Sequence, residues 1–314
     1  MANNENDDSN DNNDGMEKTS VVASETFKQR VAEAIKTPPC LVLLVGPASY
    51  VGKQWPITGV DLVIGRAIQS YIFVDDRSVS KSHAKLSFSA GEVSIIDLEA
   101  TNRTILNGQV LPPLVPIKLN NNDQIKAGNV IFKFLEKGSL EAMTNQATYD
   151  RGQTDALTNI FNKGALLAYA PETFRRSKML KTPLSLAVFD IDHFKRINDS
   201  HGHPAGDQIL KEMALVVSRK LIRSEDYFAR FGGEEFVVIL NNTDLKQALD
   251  IGERIRHTIE THPFVADGKN IPVTISVGVA EKTVEMNSWD DLFKQADDSL
   301  YASKGRGRNC VTSL

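Results

Sequence analysis

The sequence predicts a two-domain protein, an all-β sandwich followed by an α/β unit. Three observations carry that expectation. Between Cys40 and Leu135 the chain is a series of short apolar segments divided by turn residues. From Asp155 onward, strand-like runs alternate with helical periodicity. The 314 residues also suffice for roughly two average domains.

In chain order, the opening MANNENDDSNDNNDG is too polar to offset its ordering entropy and predicts a disordered acidic tail. Phe27, Val31 and Ile35 recur at helical spacing, and Pro38-Pro39 end that short amphipathic helix, so residues 1–38 form one region. In residues 39–136, CLVLLVG, DLVIGR, YIFVDD, HAKLSFS, EVSIIDLE, TILNG, PIKL and NVIFKFL read as strands, with SAGEV and NNNDQI as turns. A polar linker, 137–154, has only Met143 and Ala147 to mark a weak helical face.

The second domain, 155–314, begins with a helix over Leu157–Leu180, expected to break near Ala170 because of Pro171. PLSLAVFDI is a buried strand ending in carboxylates. Ile209, Leu210, Met213, Val216, Val217 and Leu221 trace one face of a helix. ARFGGEEFVVIL reads as a hairpin turning at Gly232-Gly233. Leu245, Leu249, Ile255 and Ile259 mark the next helix, PVTISVGVA a buried strand, and Leu292, Ala296 and Leu300 the last helix. This alternation predicts a sheet covered by helices.

Composition narrows the function. A net charge of -4 supplies no field to draw nucleic acid or an anionic membrane. The longest apolar run, Cys40–Val45, falls far below the ~20 residues of a membrane helix. The first residues are the opposite of a basic-then-apolar signal peptide, so a cytoplasmic protein is expected. Cys40 and Cys310 are then buried or free thiols rather than a disulfide.

The chemistry gathers in the second domain. Strand alternation puts Asp190 and Asp192 on one face, near the strand that starts with Glu234 and Glu235. Such carboxylates suit Mg²⁺, which takes oxygen ligands and keeps phosphates as its other partners; singly, they would equally solubilise strand ends. Lys195 is a cation suited to phosphate, while Asn198 and Asp207 offer the amide and carboxylate that can read a guanine edge. Lys304 and Arg308 stand one helical turn apart by count, where they could clamp phosphate or complement a helix C-terminus. His193, His201 and His203 lack the thiolates and spacing of a zinc site.

DALTNIFNK, DIDHFKRINDSHGHPAGD, RFGGEEF, VTISVGV and YASKGRGRN, in that order, resemble the GGDEF family of diguanylate cyclases. Asn159 and Lys163 depart from the usual DxLTGLxNR. The resemblance implies condensation of two GTP into cyclic di-GMP with release of two pyrophosphates, by two protomers facing each other as a homodimer. It implies that Asp190, Glu234 and the Ile191 carbonyl hold Mg²⁺ (or Mn²⁺), and that Asn198 and Asp207 hold guanine. Lys195, Lys304, Arg308 and the His193 and Phe194 N–H groups would bind phosphates; His203 is a turn position near the nucleotide, and Gly232-Gly233 leave it room. Glu235 is the candidate to assist deprotonation of the ribose hydroxyl. Arg223 and Asp226 match the family's RxxD product-inhibition motif, and Arg254 a further inhibitory arginine.

VIGRAIQSYIFVDDRSVSKSHAKL, IIDLEATNRTILNGQVL and LNNNDQIKAGNVIFKF are similar to the forkhead-associated (FHA) domain, a β-sandwich that binds phosphothreonine peptides. The implied phosphopeptide site is Arg66, Ser80, Lys81, Thr101 and Asn102, with His83 bracing a loop; Arg103 departs from the usual Gly. Thr19 is the candidate phosphosite if the peptide is the chain's own tail rather than a partner protein. The alternative reading is a non-catalytic receptor for GTP or cyclic di-GMP, from which the complete active-site set discriminates, or an FHA adaptor, which would have no use for that set.

Overall fold

A computed structural model describes residues 36–47, 50–266 and 268–314. Thr19 and the helix expected at Phe27, Val31 and Ile35 lie outside the described residues.

The N-terminal domain is a sandwich of two sheets. One contains β1 (Cys40–Val45), β2 (Gln54–Pro56), β7 (Thr104–Leu106), β8 (Gln109–Val110), β10 (Gln124–Ala127) and β11 (Val130–Leu135), in the order β2-β1-β11-β10-β7-β8. The other contains β3 (Leu62–Gly65), β4 (Ile72–Phe73), β5 (Ala84–Ser89), β6 (Glu92–Asp97) and β9 (Ile117–Lys118), in the order β4-β3-β5-β6-β9. Leu41, Leu43, Ile125 and Phe132 of the first meet Ile64, Leu86 and Ile95 of the second in one dry core. Three strands were not legible. β2 and β8 are very short, and β10 begins inside the polar NNNDQI run that reads as a turn. What places β10 is its pairing with β11, which burial of Ile125 and Ala127 secures.

The linker region holds helix α1 (Leu140–Gln153), capped by the Ser139 hydroxyl. Ala142 is buried against Cys40, Val42 and Leu135. Beyond it come α2 (Lys163–Leu180), β12 (Leu184–Ile191), α3 (Phe194–His201), α4 (His203–Lys220), β13 (Tyr227–Gly232) and β14 (Glu235–Asn241). The chain then forms α5 (Leu245–Thr261), β15 (Phe264–Ala266), β16 (Lys269–Ile271), β17 (Ile275–Glu281), α6 (Trp289–Gly305) and β18 (Val311–Thr312). Helix α2 starts later than expected, and Pro171 does not break it. The ring is exposed, and so is Leu167, whose carbonyl it deprives of a donor, so the proline sits on the outer face of the helix.

The sheet order is β13-β14-β12-β17-β18, and all eight residues of β12 are buried at its centre. Its alternation sorts the cores. Ala187, Phe189 and Ile191 face α4 and α5, while Leu184, Leu186 and Val188 face α2 and α6. A strand buried on both faces must be apolar throughout, so the carboxylates at its C-terminal end stand out. None of the described helices is long and apolar enough to cross a membrane.

Candidate functional site

The even-numbered series of β12 continues to Asp190, which therefore points to the α6 side, where Lys304 Nζ lies 3.1 Å away. Sheet register sets Asp190 opposite Glu235 on β14 and Ser276 on β17. Burial pushes the Asp190 carboxyl up to about 6, against the pull of Lys304, and Glu234 and Glu235 push the same way as burial. Like charges facing each other across strands destabilise a sheet, so this end of it calls for a further cation. No group of three or more His, Cys, Asp or Glu side chains converges among the described residues. Two carboxylates and a carbonyl are instead the donor set of a hard cation that completes its shell with water and phosphate oxygens.

The hairpin differs from expectation by one residue. Gly232 pairs with Glu235, so the two-residue turn is Gly233-Glu234, with Gly233 at φ 51°. A register shift between Arg230 and Gly232 makes the difference, because Phe231 is the extra residue of a bulge. Glu234 thus sits in the turn while Glu235 opens β14, and the Ile191 N–H approaches the Glu234 carbonyl at 3.4 Å. Nothing would meet a Cβ at either glycine, so the space over the turn is open.

Helices α3 and α4 build the neighbouring edge. His193 caps α3 with φ 55°, which turns the backbone sharply as β12 ends. Lys195, His203 and Asp207 are exposed, and Phe194 is anchored in the core. The Oδ1 of Asn198 is buried without a hydrogen-bond partner among the described residues. It sits 2.0 Å from where a Cβ on Gly206 would stand, so only glycine lets α4 close on it. The close approach brings α4 against Asn198 one residue before the exposed Asp207 and leaves the Asn198 acceptor without a donor among the described residues.

Lys304 and Arg308 do not share a helix. Helix α6 ends at Gly305, and Arg308 lies beyond it with φ 70°, its N–H donating to the Ser303 carbonyl at 3.1 Å. The turn that carries Arg308 is held by residues the sequence reading missed. Asp192 is about as buried as Asp190, but its oxygens are committed to protein donors. It accepts from Thr274 Oγ1 (2.7 Å), Ser276 Oγ (2.6 Å) and the Asn309 N–H (3.0 Å). The Asn309 side chain in turn accepts from Arg256 at 2.7 Å and donates to Glu260 at 2.6 Å. Arg230 was also missed: it bonds Asp155 (3.0 Å) and, through Nε and Nη2, the Gly233 carbonyl (2.9 and 2.7 Å).

Arg223 forks onto Asp226 at 2.8 and 2.7 Å and also reaches the Asn241 carbonyl and Thr243 hydroxyl. The Asp226 side chain is almost fully buried, so the pair is firmer than an ordinary surface contact. Arg254 lies exposed on α5 with no hydrogen bond or ion pair among the described residues. A cavity of about 900 Å³ is lined by Tyr50, Lys53, Tyr149, Tyr169, Glu172 and Tyr227, among others.

In the sandwich, three loops carry the expected phosphate residues to one rim. Gly65 permits this, because a Cβ there would stand 2.1 Å from the Lys81 carbonyl. Arg66 donates from its backbone to Ser80 O (2.9 Å) and from Nε to Val79 O (3.1 Å). Ser80 Oγ accepts the Thr101 N–H (3.2 Å), and Asn102 donates to Ser78 O (2.8 Å). His83 is fully buried and braces the two loops: Nδ1 accepts the Ser80 N–H (3.1 Å), which leaves Nε2 to donate to Arg103 O (3.2 Å). Arg103 takes φ 50°, the conformation a glycine would adopt, and its guanidinium is 3.3 Å from buried Asp97 rather than aimed at the rim.

The family model of the diguanylate cyclase GGDEF domain matches residues 152–310, and that of the FHA domain matches residues 62–128. Diguanylate cyclase A of Treponema denticola is 40% identical over 174 residues, 54% of this chain and 47% of that protein. Response regulator PleD of Caulobacter vibrioides is 41% identical over 160 residues, 50% of this chain and 35% of that protein. A crystal structure of the coiled coil and GGDEF domain of DgcB from Caulobacter crescentus, in complex with c-di-GMP, aligns with a TM-score of 0.52. Its identity is 31%, over 55% of this chain and 91% of that one. The chain belongs to the GGDEF family of diguanylate cyclases and carries an FHA domain on the N-terminal side. It spans about half or less of the length of these curated relatives.

Proposed function

We propose that the chain is a diguanylate cyclase that condenses two GTP into cyclic di-GMP. The observation that carries this is that Lys304 lies 3.1 Å from Asp190 at the end of β12, with Glu235 opposite Asp190 in the sheet register and Glu234 in the adjoining turn. In each of two steps a ribose 3′-hydroxyl attacks an α-phosphorus; the new P–O bond forms as the bond to pyrophosphate breaks, and the hydroxyl proton is released. Asp190, Glu234 and the Ile191 carbonyl would hold Mg²⁺ or Mn²⁺, which when bound neutralises phosphate charge and polarises the reacting oxygens. Asn198 and Asp207 orient guanine, with His203 at the turn beside it. Lys195, Lys304, Arg308 and the His193 and Phe194 N–H groups position the phosphates, so most of the barrier is lowered by placement and charge. Glu235, opposite Asp190, receives or relays the hydroxyl proton. Purified chain with GTP and Mg²⁺ should yield cyclic di-GMP, and Glu235→Ala should lower the rate at least ~100-fold. Wild type that binds GTP yet yields no product, even with a phosphorylated tail, would instead support a receptor.

Two controls complete the reading. Arg223, Asp226 and Arg254 bind the product, with Arg223 and Asp226 releasing each other to grip it. Arg223→Ala should then make the enzyme insensitive to added cyclic di-GMP; unchanged inhibition would remove this site. The FHA rim, Arg66, Ser80, Lys81, Thr101 and Asn102, binds phosphothreonine from a partner protein or from the chain's own Thr19.

A further inference from the structure

The FHA rim does not end at the FHA domain. Beside Arg66 and Lys81 is a hollow of about 360 Å³, and its far wall is helix α2 of the GGDEF domain. The sandwich contributes Arg66, Phe73, Asp75 and Lys81; α2 contributes Arg175 and Met179, which share a face at i and i+4. Arg175 is ion-paired with Asp75 across the domain boundary. The side chains of that pair are 45% and 47% exposed, so the pair is weak and exchangeable. Three cations therefore ring a space containing one carboxylate.

We propose that Arg175 is a third cation of the phosphopeptide site, and that Asp75 holds it in place until a phosphoryl group arrives. This inference rests on the FHA reading above. A phosphoryl group offers nearly two charges and three acceptor oxygens, against one charge on Asp75, so it outcompetes the carboxylate for a guanidinium fork. Phosphothreonine would then be read by both domains at once, and its capture would pull directly on α2.

The test titrates the full chain with a peptide of residues 12–26 phosphorylated on Thr19, its unphosphorylated form, and phosphothreonine peptides with randomised flanks. Arg175→Ala should weaken phosphopeptide binding about tenfold, a loss typical of one charge-assisted contact, and Asp75→Asn should tighten it. Both side chains are at the surface, and melting curves will show that the variants fold. Arg66→Ala should abolish binding. If Arg66→Ala abolishes binding while Arg175→Ala leaves it unchanged or tighter, the FHA reading stands and this inference falls. Wild type that binds none of the phosphopeptides removes both.

Discussion

Asp190 and Asp192 stand two residues apart and are similarly buried, yet their partners give them opposite tasks. Asp190 faces one lysine and two glutamates, so its carboxylate is poised for a cation. Asp192 has each of its two oxygens committed to protein donors, so it fixes backbone and hydroxyls instead. The sequence could place the pair at the end of a strand, but not separate them: the partners of Asp192 are 82 to 117 residues away and meet only in the folded sheet. Asp192→Asn would turn an amide donor toward existing donors, leaving a buried group unpaired at a cost of about 1–3 kcal/mol. Its functional effect should pass through Arg308, which the Asn309 contact positions. Cyclase activity should fall about tenfold, and Asp192→Asn on an Arg308→Ala background should lower it little further. Strictly additive effects would show that Asp192 supports stability alone.

The loops that frame the sandwich rim depend on one histidine. His83 is held below the usual imidazole value of 6.5, chiefly by burial, against the opposing pull of the Arg103 carbonyl and Asp97. In acid the unfolded chain takes up a proton that the folded His83 refuses. Its contribution to stability is therefore complete above 6.5 and declines as pH falls below it. Melting of the full chain, followed by the FHA tryptophan Trp55 against Trp289 of the other domain, should show the sandwich losing stability between pH 7.5 and 5.5. The His83 share is at most about 1.4 kcal/mol per pH unit. His83→Gln should lower melting at pH 7.5 and flatten the dependence; an unchanged slope would assign it to other groups. The role of His83 was legible because SKSH sits at a defined place in the FHA pattern. Arg103 was less so, since nothing local says that it adopts φ 50° and turns to Asp97. The same limit applies to Pro171 and the hairpin turn, where exposure and a bulge decided what local rules could not.

At the scale of the whole molecule, the proposed reaction makes this edge half of a reaction site. Lys195, Asp207, Gly232, Gly233 and Arg308 are all exposed, so the edge lies open where a second nucleotide would meet the first. On the proposed reaction, one GTP per GGDEF domain would leave each 3′-hydroxyl without its α-phosphate, so two edges would have to face each other, as a two-fold axis allows. The expected nucleotide residues could be named because they come in contiguous runs; the contacts leading toward them from the FHA rim could not, because they cross domains. Arg175 sits on α2, the loop before α2 is tied by Arg230 to the Gly233 carbonyl, and that carbonyl belongs to the turn bearing Glu234. A chain of contacts therefore leads from the loop before α2 to the turn that bears Glu234. Turnover should consequently be limited by pairing of chains. Below the dissociation constant of the dimer, tenfold dilution should cut activity per chain about tenfold, by mass action. Sedimentation at the same concentrations should show dimer lost in parallel. Constant activity per chain in a range where only monomer sediments would mean that one edge completes the reaction alone, which would overturn the half-site reading.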